Sequence, residues 1–206
     1  MLFGLLVYSI LLTGADPIEN ALESFRRLDT YSVTLKATTD RTEIIRYHYK
    51  KPGFIRMEFE EPHKGAILVY DPLKKEVVLR PFGFLKSFKM RLDPESRIIK
   101  SSRGHTVDES DIGALLEAAQ KLRGHGGMEI AGDEMLGQRR SIVVEVTGEG
   151  GYEVDGINRY RLWLGADDYL PLKAEAYDRD GGLEERVVME DLTTGPEFPS
   201  GFFSLD

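Results

Sequence analysis

Few residues in this chain could do chemistry, and their spacing argues against most of it. His105, Asp108, Glu109 and Asp111 fall within seven residues, a set of donors that a metal ion could use. Their order is better explained by a helix start: Asp108 stands where an N-cap is wanted, and Glu109 and Asp111 suit the positive end of the helix dipole. His125 sits in "RGHGG", a glycine-rich exit from that helix. No Gly-x-Ser-x-Gly elbow, His-Glu-x-x-His pair or phosphate loop occurs. The absence of cysteine removes disulfides, thiolate metal sites, a cysteine nucleophile and a lipid-modified N-terminal cysteine. The 35 Asp and Glu offer many carboxylate pairs, but nothing singles one out and surface charge accounts for them. The expectation is a chain with no catalytic residue, no metal and no cofactor, hence not an enzyme.

What remains is apolar surface. A site for a hydrophobic ligand needs a concave apolar wall that stays open. Tyr47, Tyr49, Ile55, Met57, Phe59, Leu68 and Tyr70 on strands, with Phe25 and Leu116 on helices, are the candidate cavity residues. Alternation alone describes a solid core equally well. A second apolar feature, "RPFGFLKSFKMRL" from Arg80 to Leu92, interleaves Phe82, Phe84, Leu85 and Phe88 with Lys86, Lys89 and Arg91. Basic and aromatic residues together suit an interface with anionic headgroups or a partner, with Phe82, Phe84 and Phe88 as the contacts. The same stretch also reads as a strand with Phe88, Met90 and Leu92 turned inward.

The elements that must position these residues are well punctuated. "DPIENALESFRRLD" predicts a helix with Asp16 as N-cap, Pro17 in the first helical position and Glu19 in the first turn. After Thr30 the period changes to two, and strands are expected near 31–39, 43–50, 54–60, 65–70, 75–80, 84–92 and 97–101. The turns between them are too short for crossover helices, so the pairing is antiparallel. In "YHYKKPGFIRMEFEEP", Ile55, Met57 and Phe59 face one way and Phe54, Arg56, Glu58 and Glu60 the other. A second helix is expected over 109–123, and strands resume near 128–135, 138–147, 158–165, 171–178 and 183–191. The fold class is therefore α+β: a curved antiparallel sheet of about 11 strands, its concave face covered by two or more helices.

Totals bound the rest. The 206 residues, 41% of them hydrophobic, suit one domain, and a net charge of -8 with mixed signs leaves no stripe for a nucleic-acid backbone. "MLFGLLVYSILLTGA" carries an apolar run shorter than the roughly 20 residues a span needs, ending in small residues, and reads as a signal peptide over residues 1–15, although no Lys or Arg precedes it. The alternative for this run is a first core strand. Cleavage after Ala15 would leave a single domain over 16–206, secreted to the periplasm.

The order helix, "VTLKATT", "YHYKKPGFIRMEFEEP", "ILVYDPLKKEVVL", together with "YRLWLGADDYLPLKAEAYDRDGG" towards the C-terminus, resembles the LolA-like superfamily of bacterial periplasmic lipoprotein carriers. The middle, "GHTVDESDIGALLEAAQKL", is most similar to the uncharacterised DUF1571-type secreted bacterial proteins. The resemblance covers about residues 17–204. It implies an incomplete barrel over lid helices, an apolar cavity, and a non-catalytic role in binding or carrying lipid or lipoprotein acyl chains; the transient contact with a membrane surface is expected from the Arg80–Leu92 stretch itself. Similar domains also serve as envelope sensors or protein-interaction modules, which keeps an envelope protein partner as the alternative. The basic residue before proline, an arginine in the carriers, is Lys51 here and the latch candidate; its ammonium lacks the guanidinium's planar fork of donors.

Overall fold

The computed structural model describes residues 16–39, 41–84, 87–100 and 104–205. The expected signal peptide, residues 1–15, lies outside the described residues. Helix α1 spans Pro17–Arg27. The Asp16 carboxylate accepts from the amides of Ile18 (3.1 Å) and Glu19 (3.4 Å), which supplies partners for two of the donors that a helix start leaves open. Strands β1 (Thr30–Thr38), β2 (Thr42–Lys50), β3 (Phe54–Glu61), β4 (Ile67–Asp71), β5 (Glu76–Arg80) and β6 (Met90–Leu92) follow as one antiparallel meander. Helix α2 (Ile112–Gly124) leads into a second meander of β7 (Gly126–Leu136), β8 (Arg139–Gly148), β9 (Arg159–Gly165), β10 (Pro171–Tyr177) and β11 (Leu183–Thr194).

The two meanders join where β1 pairs with β11 (Leu35 opposite Met189), giving one eleven-stranded sheet in the order β6-β5-β4-β3-β2-β1-β11-β10-β9-β8-β7. Since β6 and β7 end this order without pairing with each other, the barrel is incomplete, as the resemblance implies. The concave face is covered by α1 and α2. Ile18, Ala21 and Leu22 of α1 and Leu116, Ala119 and Leu122 of α2 are at most 1% exposed and pack with Tyr31, Ile55, Val144 and Leu162 of the sheet. The helices touch closely: a Cβ on Gly113 would stand 2.4 Å from the Phe25 ring, so any larger residue there would displace that ring. Gln120 donates to Glu19 (2.9 Å), and Arg123 pairs with Asp16.

Three sequence expectations are corrected. The strand over 84–92 is reduced to Met90–Leu92. Pro81 has no amide to give the ladder, and Gly83 lies so near Gly65 that a Cβ on it would sit 3.1 Å from that Cα. The strand over 97–101 is not formed in its described part: Arg97–Lys100 is turn and bend. The second helix starts at Ile112, and its N-cap is Asp111, which accepts from the Ala114 amide at 2.8 Å. Asp108 belongs to a separate 3-10 turn, Val107–Glu109, that buries Val107 before the α-helix begins.

Candidate functional site

Between the concave face and α2 lies a cavity of about 720 Å³, inside the range of roughly 300–1,000 Å³ usual for small-molecule sites. The two-residue period of the strands builds its wall. Val33, Leu35 and Ala37 come from β1, Ile45 and Tyr47 from β2, Met57 and Phe59 from β3, Ala174 and Ala176 from β10, and Val187 and Met189 from β11. Leu115 and Ala118 of α2 and Val107 of the 3-10 turn line the helical side. The alanines matter because their missing side chains leave volume that leucines would fill. Charged side chains from Arg41, Glu43, Lys100, Glu117, Lys121 and Glu185 mark where the cavity opens to water.

One part of the wall is polar. Tyr31 stacks on Tyr47 (centroids 5.9 Å apart) and on Tyr49 (5.0 Å), and all three hydroxyls lie in the field of Asp111 at the start of α2. The Ile112 amide donates to the Tyr31 hydroxyl at 3.3 Å, and the Tyr47 hydroxyl meets Ser110 Oγ at 3.2 Å. Ser110 gives its own proton to the Val107 carbonyl at 2.5 Å, so Tyr47 is the donor to Ser110. Burial, then the nearby Asp111 carboxylate, raises the Tyr47 hydroxyl pKa far from neutrality and lifts that of Tyr49 to about 12. Tyr31 is raised by burial and then by Tyr47. The phenols stay neutral, and those of Tyr31 and Tyr47 tie β1 and β2 to the helix start. Burial also raises the Asp111 pKa, opposed by the Ala114 and Gly113 amides.

The candidate cavity residues divide into two groups. Tyr47, Met57, Phe59 and Leu68 line the cavity. Tyr49, Ile55, Tyr70 and Leu116 belong to the packed core, with Phe25 lying against it and touching Tyr49 at 5.7 Å between ring centroids. Lys51 is not at the cavity. Its ammonium donates to the Arg26 carbonyl at 2.6 Å and approaches Asp29 at 3.7 Å, so it caps the last turn of α1 and ties that helix to the β2–β3 turn. Phe82, Phe84 and Phe88 are 46%, 81% and 48% exposed, and Phe82 reaches the cavity rim. His105 and Glu109 also line the cavity, Glu109 accepting from the Thr106 hydroxyl at 3.1 Å. Among the described residues no group of three or more His, Cys, Asp and Glu could hold a metal ion.

Sequence reasoning missed the walls contributed by β1, β10 and β11. Their alternation was visible, but only the β1–β11 pairing brings β10 and β11 into one wall with β1, β2 and β3. It also missed the C-terminal aromatics. Phe198 and Phe202 pack edge-on against His48 (5.7 and 5.1 Å) and Phe203 lies 6.1 Å from Phe54, covering the convex face of β2 and β3. Arg56 secures them by donating to the Phe202 carbonyl at 2.9 Å.

No family model and no curated protein matches the chain. Solved structures do share its fold. An uncharacterized conserved protein from Thermus thermophilus is 11% identical, with a TM-score of 0.55 over 90% of this chain and 88% of that one. The Mycobacterium tuberculosis lipoprotein LppX is also 11% identical, with a TM-score of 0.55 over 88% of this chain and 95% of that one. MucB, in the Pseudomonas aeruginosa MucA/MucB complex, is 18% identical with a TM-score of 0.51, and the match spans 92% of this chain but 59% of MucB. At such identities the likeness is one of fold, and that fold is the incomplete barrel over helices implied by the resemblance to the LolA-like proteins.

Proposed function

We propose that this protein is a non-catalytic carrier or binding protein that holds a lipid or lipoprotein acyl chain in its cavity. The observation that carries the reading is the 720 Å³ space left between sheet and helix α2, walled by aliphatic and aromatic side chains. Each methylene moved from water into such a wall contributes roughly 0.8 kcal/mol, so a chain of about a dozen carbons supplies enough to offset its ordering. The reading places the protein in the bacterial envelope as a single domain over residues 16–206, after removal of residues 1–15. Mass spectrometry of an organic extract from purified 16–206, beside an extract from an unrelated periplasmic protein, tests it. A stoichiometric lipid is the expected result; an empty extract together with no saturable uptake of a fluorescent acyl probe would sink the proposal.

A second reading, an envelope sensor or protein-interaction module, draws on the exposure of Phe84 and Phe88 and on the likeness to MucB, which was solved with MucA. A pull-down that retrieves one envelope protein and loses it in the Phe84→Ser/Phe88→Ser variant would favour it.

A further inference from the structure

Charge and apolar surface are segregated at one side of the cavity mouth. The described residues from Arg80 to Lys100 include five Lys and Arg against two Asp and Glu, a balance of +3 in a chain whose total is -8, with Arg91 paired to Glu76 outside the stretch at 3.3 Å and Lys100 to Glu95 within it. The same stretch contains four of the eight large hydrophobic side chains exposed among the described residues: Phe84 at 81%, Ile98 at 66%, Phe88 at 48% and Phe82 at 46%. Phe82 and Ile98 also line the cavity, so this patch is continuous with the interior. Phe82 and Phe84 lie 5.5 Å apart between ring centroids and form one apolar surface.

We propose that this lip docks the cavity mouth onto an anionic lipid bilayer, so that an acyl chain passes between bilayer and cavity without crossing water. The inference rests on the acyl-chain reading above and adds the surface that delivers the ligand. Aromatic rings flanked by basic side chains suit the boundary between headgroups and acyl chains. An anionic surface attracts this basic stretch and repels the remainder, which carries the excess acid, and so orients the molecule mouth-down within about a Debye length. A neutral or acidic lip would give no such orientation, and an apolar patch remote from the mouth would not shorten the ligand's path.

The test is vesicle flotation of residues 16–206, the span that contains all eleven strands and both helices. Vesicles of phosphatidylcholine alone are compared with vesicles containing about one-third phosphatidylglycerol. The expected result is binding that requires phosphatidylglycerol, falls in high salt, weakens roughly ten-fold or more in Phe84→Ser/Phe88→Ser, and is lost in Lys89→Glu/Arg97→Glu. Equal binding to both vesicle types, no binding to either, or binding indifferent to these variants overturns the inference. So does loss of a captured protein in the phenylalanine variant while vesicles remain unbound, which would make the lip a protein contact. Because these side chains are exposed, the variants are expected to keep the parental melting temperature. Uptake of a fluorescent acyl probe from solution separates the two claims. Uptake without vesicle binding refutes the lip alone, whereas neither uptake nor vesicle binding refutes the carrier reading with it.

Discussion

Replacing Glu175 with Gln is expected to cost about 3 kcal/mol of stability at neutral pH and to remove most of one acid-labile component. Glu175 lies on the convex face of β10, its side chain 6% exposed, with Lys173 Nζ at 2.8 Å and Arg186 Nε at 2.7 Å. The Tyr177 hydroxyl donates to it at 2.6 Å. Burial by itself would raise the Glu175 pKa, but the bonds from Lys173, Tyr177 and Arg186 outweigh it and hold the carboxyl at about 2 rather than 4.5. At about 1.4 kcal/mol per pH unit of separation, that gap corresponds to roughly 3 kcal/mol, an upper figure because Lys173 and Arg186 are partly exposed. The folded pKa lies below the unfolded one, so the contribution is fully present above about pH 4.5 and disappears as pH falls towards 2. Urea denaturation of the parent and Glu175→Gln from about pH 7 down to about pH 2 reads this directly. The difference between the two proteins should shrink progressively below about pH 5. A difference that stays constant over the whole range would refute the reasoning, because the carboxylate's charge would then contribute nothing net.

Tyr47→Phe removes the buried donor to Ser110 Oγ, so chemical denaturation should show a loss of about 1 kcal/mol. Ala174→Leu/Ala176→Leu fills part of the cavity: acyl-probe affinity should fall about ten-fold or more while the melting temperature stays within a few degrees, whereas a solid core would be destabilised by about 1–3 kcal/mol per insertion. Truncation after Glu197 removes the aromatic cover of His48, whose pKa burial now holds below the ordinary 6.5. Its titration, followed by NMR, should move up toward that value, and in the intact protein the burial costs stability as pH falls through about 6.5. An unchanged His48 titration would assign its burial to the sheet alone.

Much of the fold was legible because its signals are local. The two-residue period of "FIRMEFE" and "SIVVEV", the Asp16–Pro17 helix start and the short Pro- and Gly-bearing turns determine strands, helix and antiparallel pairing without reference to distant residues. Local signals failed where distant groups decide. Pro81 and the close approach of Gly83 to Gly65 end the β5 ladder before Phe84, and an extra 3-10 turn moves the α2 cap from Asp108 to Asp111.

The site shows the same division. The sequence by itself determined which side chains face the concave side of each strand, and hence that Tyr47, Met57, Phe59 and Leu68 share a face with Tyr49, Ile55 and Tyr70. Only the tertiary structure decided which of them border empty space. That depends on where α1 and α2 press on the sheet and on Ala174 and Ala176, far along the chain, facing the gap. Alternation is a property of the strand, whereas a cavity is a property of how far two layers stand apart. The Phe25 ring packs on Gly113 where α1 meets α2, and no pattern within either helix encodes that contact.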